Sequence, residues 1–141
     1  MIHDISGGET KIPGAKVTQG KDEKGDVGAG KLAGASVVCK NGTGMHIYDL
    51  HIHVKGLDPN KKAPTATVQT LDNAGRPTGS SWDQKKSSNP DNNGESDIDI
   101  DVSIDAGETF NITISHEAGA GKETKYDLVV TPTDAKGFPV N

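Results

Sequence analysis

The stretch Glu95-Ser96-Asp97-Ile98-Asp99-Ile100-Asp101-Val102-Ser103-Ile104-Asp105-Ala106-Gly107-Glu108-Thr109-Phe110-Asn111-Ile112-Thr113-Ile114-Ser115 decides the fold class. From Ser96 to Ile104 apolar and polar residues alternate without error, Ile98, Ile100, Val102 and Ile104 against Asp97, Asp99, Asp101 and Ser103. Period two is the signature of a strand with one buried and one wet face. Asp105-Ala106-Gly107-Glu108 has turn chemistry, and beyond it Phe110, Ile112 and Ile114 again share one face.

Outward from this pair the pattern repeats. Met45 to Lys55 alternates, with His46, Tyr48, Leu50, Ile52 and Val54 expected inward and Ile47, Asp49, His51, His53 and Lys55 outward. Ser36 to Lys40 reads as a short strand stopped at Asn41-Gly42, a hairpin signal. Thr65 to Leu71 is a strand, Asp72-Asn73-Ala74-Gly75 a turn, residues 76–95 a long polar loop around Trp82, and Thr124 to Thr131 the last strand, which Pro132 ends. Six or seven strands with turns between them predict an all-β fold, an antiparallel β-sandwich of immunoglobulin-like size, with a jelly roll or open barrel as the alternative.

Composition agrees. Eighteen glycines and seven prolines are spread through 141 residues, and each costs a helix interior roughly 1 kcal/mol (Gly) or 3 kcal/mol (Pro). A helical bundle is excluded by their spacing. The net charge of −5, with 14 lysines and the single Arg76 as the basic residues, argues against a nucleic-acid surface. No apolar run reaches membrane-span length, and the first residues lack the basic start and apolar centre of a signal peptide. Cys39 is alone, so no disulfide forms within the chain, and its expected role is that of a small buried hydrophobe.

Residues 1–34 hold eight glycines and the cluster Lys21-Asp22-Glu23-Lys24, with apolar residues too scattered to fold alone. They are expected to form an extended arm, followed by a sandwich over 35–132 and a tail over 133–141. In that reading Ile2, Ile5, Ile12 and Val17 anchor the arm to a protein partner, in a homo-oligomer or larger assembly.

Several motifs are weighed for chemistry. Gly25 to Lys31 fits G-x-x-x-x-G-K, but Leu32 stands where a phosphate loop needs Ser or Thr, and no strand-to-helix context surrounds it. Asp49, His51 and His53 form an i, i+2, i+4 row on one strand face, a spacing able to offer ligands to zinc. Asn89 to Gly94 begins like a calcium loop, so Asp91, Asn93 and Asp97 are candidate calcium ligands, although Ile100 stands where the bidentate Glu belongs. The ladder Asp97, Asp99, Asp101 requires compensation by lysines of an adjacent strand or by a cation. Trp82, with Asp83 and Gln84, is a candidate sugar-binding contact, its other role being a lid over the core.

No nucleophile-and-base constellation can be assigned. The principal expectation is therefore a non-catalytic structural or interaction protein without a required cofactor, of the kind that decorates a phage particle or similar surface, held by its arm. The alternative is a carbohydrate-binding or adhesion module, calcium-assisted or not, using residues 76–95 and Trp82. A metal-binding protein or metalloenzyme built on His51 and His53 stands third.

Overall fold

A computed structural model of the chain describes residues 1–119 and 125–140. They form ten strands: β1 (Ile2–Ile5), β2 (Thr10–Gln19), β3 (Leu32–Asn41), β4 (Ile47–Lys55), β5 (Thr65–Leu71), β6 (Pro77–Asp83), β7 (Lys86–Ser87), β8 (Glu95–Ile104), β9 (Thr109–Glu117) and β10 (Lys125–Thr133). The strand order is β6-β5-β9-β3-β2-β10-β4-β8-β7, with β1 added in parallel to β3 and all other pairs antiparallel. The sheet curls so that β8 lies against β5 and β6, which makes an all-β sandwich left open as a half-barrel. No helix among the described residues is long and apolar enough to cross a membrane.

Strand β2 joins the two halves. Its first part, Thr10 to Lys16, pairs with β10, and its last part, Val17 and Gln19, pairs with β3. The switch follows a bulge: Ala15 pairs with Tyr126 and Ile12 with Leu128, so β2 spends one residue more than its partner around Pro13-Gly14. The Asp127 carboxylate secures the bulge by accepting the Gly14 N–H at 2.8 Å.

This placement corrects the expected arm. Ile5 and Ile12 are fully buried and Val17 is 2% exposed, all in the core with Phe110, Ile112, Tyr126 and Leu128. Fully burying one such side chain contributes about 1.5–3 kcal/mol, so these residues serve this chain's own stability rather than a partner. Ile2, 57% exposed, is the one expected anchor left outside. The C-terminal segment is also tied in, since Gly8 N–H donates to the Val140 carbonyl and Val140 N–H to that of Pro132.

Three local expectations shift. Residues 76–95 are largely paired, β6 on β5 and β7 on β8, rather than one long loop. A register shift between Ile47 and Asp49 turns Ile47 inward and leaves Tyr48 half exposed, reversing the expected start of β4. Asn41-Gly42 makes no hairpin, because β3 and β4 lie in different halves of the sheet. Instead the buried Asn41 amide donates to the carbonyls of Met45, Ile104 and Asp105, tying together both corners where the chain crosses between halves. The expected start of the last strand, Thr124, lies outside the described residues.

Candidate functional site

Strands β4 and β8 pair with His53 across from Asp97, His51 across from Asp99 and Asp49 across from Asp101. Leu50, Ile52, Ile98 and Ile100 point from the same strands into the core. The pleat therefore sends every histidine of β4 and every aspartate of β8 to one outer face. There they interdigitate. His53 Nε2 lies 2.8 Å from Glu95 Oε1 and its Nδ1 2.7 Å from Asp97 Oδ1. His51 Nε2 lies 3.0 Å from the same Asp97 oxygen and its Nδ1 2.8 Å from Asp99 Oδ1. The result is a continuous ladder, Glu95–His53–Asp97–His51–Asp99.

The charges respond to this arrangement. Hydrogen bonds to Glu95 and Asp97 raise the His53 pKa above the usual imidazole value. Burial opposes protonation of His51, but its bonds to Asp99 and Asp97 outweigh it and its pKa also rises. Burial likewise opposes the Asp97 carboxylate, and the two imidazoles overcome that and hold its pKa low. Asp49 behaves oppositely, since burial first and then the charges of Asp99 and Asp101 push it up to about 6.

Beside the ladder the face opens into a hollow of about 470 Å³ lined by Asp49, His51, Lys85, Asp99, Thr131 and Thr133. A smaller hollow of about 220 Å³ adjoins it, sharing Asp49 and Lys85 and bounded by Tyr48 and Asp101. Lys85 Nζ is 3.6 Å from Asp101 Oδ2. Tyr48 packs on the His46 ring with centroids 4.5 Å apart, and His46 is held in turn by Asp105 and Ser103, each at 2.9 Å. An oriented aromatic edge thus borders a polar hollow on paired strands.

The sequence-derived candidates fall as follows. Asp49, His51 and His53 share one face as expected, but each ring nitrogen of the two histidines faces a carboxylate. Among the described residues no group of three or more His, Cys, Asp or Glu side chains is arranged to hold a metal ion. The calcium trio does not converge either. Asp97 belongs to the ladder, while the Asp91 carboxylate accepts the N–H groups of Asn93 and Glu95 at 2.8 and 3.0 Å. Asp22, Asp72 and Asp134 make the same pair of bonds to the second and fourth residues after them. Each is followed three residues on by a glycine of positive φ, Gly25, Gly75, Gly94 or Gly137. Asp91 thus belongs to a turn type that recurs four times among the described residues, Asp-x-x-Gly-x, and that repeat accounts for the residues read as the start of a calcium loop.

Trp82 lies in β6, partly buried against the core. Asp83 accepts the Thr67 hydroxyl proton, and Gln84 Oε1 accepts the Ala66 N–H. These three residues fasten an edge strand and do not line the hollow, whose wall begins at the next residue, Lys85. Around the G-x-x-x-x-G-K stretch, Lys31 N–H donates to the Gly28 carbonyl in a turn, with no helix behind it. Cys39 is fully buried, and burial pushes its thiol up to about 12.

Lys85, Glu95, Thr131, Thr133 and Tyr48 were not singled out from the sequence as parts of this site. The available signal was complementarity: an acidic residue at every second place of β8 and a His-x-His on β4 compensate each other when the strands are neighbours.

No family model matches the chain, and no curated protein matches it. Among solved structures it is similar to a β-1,3-glucan binding CBM6 from Bacillus halodurans, at 12% identity and a TM-score of 0.46 over 95% of this chain and 100% of that one. It is similar also to CsCBM6-3 from Clostridium stercorarium in complex with cellobiose, at 12% identity and a TM-score of 0.43 over 89% and 87%. A third similar structure is the enzymatically active domain of tailspike protein 4 of bacteriophage CBA120, at 12% identity and a TM-score of 0.45 over 92% of this chain and 18% of that one.

Proposed function

We propose that this chain is a non-catalytic binding module for a polyhydroxylated ligand, a glycan, taken on the outer face of β10, β4 and β8. The observation that carries the reading is the open hollow of about 470 Å³ whose walls combine carboxylate acceptors, a lysine donor and two threonine hydroxyls. A sugar ring presents hydroxyls that are both donors and acceptors, so it needs both kinds of partner within one shallow site. Asp49 and Asp99 accept, Lys85 donates, and Thr131 and Thr133 do either. Tyr48, half exposed at the adjoining hollow, supplies an apolar face for the C–H side of a second ring.

Binding rather than turnover is favoured because both histidines of the face are engaged with carboxylates at both ring nitrogens on paired strands. The one thiol is buried and held protonated. The test is a glycan array followed by calorimetry on any hit, using the wild-type protein, Lys85→Ala and Tyr48→Ala. Saturable binding weakened about tenfold or more by Lys85→Ala, a charged hydrogen bond being worth about 1.5–3 kcal/mol, and by a few-fold or more by Tyr48→Ala is the expected result. An array without hits, or hits indifferent to both substitutions, overturns the reading.

A further inference from the structure

The ladder imposes a proton count. Two imidazole rings make four contacts with carboxylate oxygens, at 2.7 to 3.0 Å. An imidazolium has two N–H donors, whereas a neutral ring has one donor and one lone pair. With the carboxylates ionised, all four contacts are hydrogen bonds only while both rings carry their second proton. A neutral ring turns a lone pair against a carboxylate oxygen at one of its two ends, and that contact opens.

We propose that Glu95–His53–Asp97–His51–Asp99 is a proton-operated clasp between β4 and β8, closed when both imidazoles are protonated and half open when they are neutral, which sets the charge of the hollow's wall. His51 and Asp99 belong to both ladder and hollow. Loss of the His51 proton therefore removes one positive charge from the wall and opens its contact with either Asp97 or Asp99. This depends on the geometry of the face and not on what the hollow takes.

The ladder itself sets three carboxylates, Glu95, Asp97 and Asp99, against two imidazoles, which favours the closed form, while the charges that flank it balance. On β4 the ladder is flanked by Asp49 and Lys55, and on β8 by Asp101. Lys85, beside Asp101, and Lys86 approach from the β7 side. From β10, Val129 and Thr131 stand across from His53 and His51 and bring no charge, while Asp127 faces Lys55. The raised pKa of both histidines and the lowered pKa of Asp97 agree in direction. Because the folded-state values of the histidines lie above the unfolded value, the clasp's contribution to stability is fully present below about pH 6.5 and is lost as pH rises through the folded values.

The test uses the wild-type chain without ligand. Long-range ¹H–¹⁵N spectra between pH 5 and 9 are expected to show the rings of His51 and His53 doubly protonated at pH 6 and titrating above 6.5. Thermal melts are expected to show Tm falling by about 3–6 °C between pH 6.5 and 8.5, the scale of roughly 1 kcal/mol in a domain of this size. The doubly substituted His51→Gln, His53→Gln protein should lack most of that slope. Either ring found neutral at pH 6, or a slope unchanged in the substituted protein, overturns the clasp. Should the double variant fail to fold, the wild-type spectra decide alone.

Discussion

Asp49 of β4 stands directly across from Asp101 of β8, two carboxylates opposed on one antiparallel pair. The nearby Lys85 ammonium is 3.6 Å from Asp101, while Asp49 Oδ1 is buried without a hydrogen-bond partner. Burial first, and then the charges of Asp99 and Asp101, push the Asp49 pKa up to about 6, so the like charges that would destabilise the sheet at these facing positions meet only above that pH.

A group whose folded pKa is raised contributes stability below its unfolded value, near 3.9, and loses it as pH rises through the folded value. Asp49→Asn removes the charge without changing the shape. The variant should melt above the wild type at pH 8, with the difference shrinking through pH 6 and vanishing near pH 4. Paired melts across that range check it, and a variant less stable than wild type at pH 8 would contradict the account.

Ile12 carries the second prediction. It is fully buried opposite Leu128, so Ile12→Ala should cost about 2–5 kcal/mol, as other large-to-small core changes do. Ile2→Ser, at an exposed site of β1, should stay within about 0.5 kcal/mol. Urea titrations of both variants separate a core strand from a detachable arm. Deleting residues 1–34 should unfold the chain, because β10 and β3 both lose their β2 partner.

The two halves of the chain differed in legibility for a physical reason. Ser96 to Ile104 keeps a strict period of two, and its burial follows that alternation from end to end, so it can be read from the alternation alone. β2 breaks the period at Pro13-Gly14, and averaging over 34 glycine-rich residues hides that Ile12, Ala15 and Val17 return to the core on either side of the bulge. β1 is only four residues long, and its parallel partner lies about 36 positions away, a pairing that no local pattern announces. The His-x-His and Asp-x-Asp rows were visible, but their meaning depended on β4 and β8 being neighbours. That adjacency is set by the whole topology, with the 55–95 segment passing through the other half between them.

Gly94 separates the turn reading from the calcium reading. It adopts φ +74° in the Asp91 turn, and a Cβ there would collide with the Leu57 carbonyl. Gly75 takes φ +79° in the equivalent Asp72 turn with nothing within 4 Å. Gly75→Ala should therefore cost about 1–2 kcal/mol, the left-handed backbone penalty, and Gly94→Ala clearly more. Equal losses in chemical denaturation would show that the Leu57 contact is not felt. Added calcium or chelator should leave the melting temperature unchanged, since the Asp91 oxygen is already occupied by backbone N–H groups.

Trp82 and Tyr48 divide stability from binding. Trp82 is partly buried against the core from edge strand β6, so Trp82→Ala should cost roughly 1–3 kcal/mol, less than a fully buried aromatic. It should leave any glycan affinity unchanged, because Trp82 packs toward the core and does not line the hollow, which begins three residues further on at Lys85. Tyr48 is 48% exposed and borders the hollow. Tyr48→Ala should scarcely move the melting temperature while weakening binding, stacking contacts being worth about 0.5–1.5 kcal/mol beyond the buried area. Measuring Tm and affinity on both variants gives a crossed pattern if the outer face of β4 is the binding surface. The reverse pattern, with affinity lost in Trp82→Ala at unchanged Tm, would move the site to β6 and return Asp83 and Gln84 to consideration as its polar contacts.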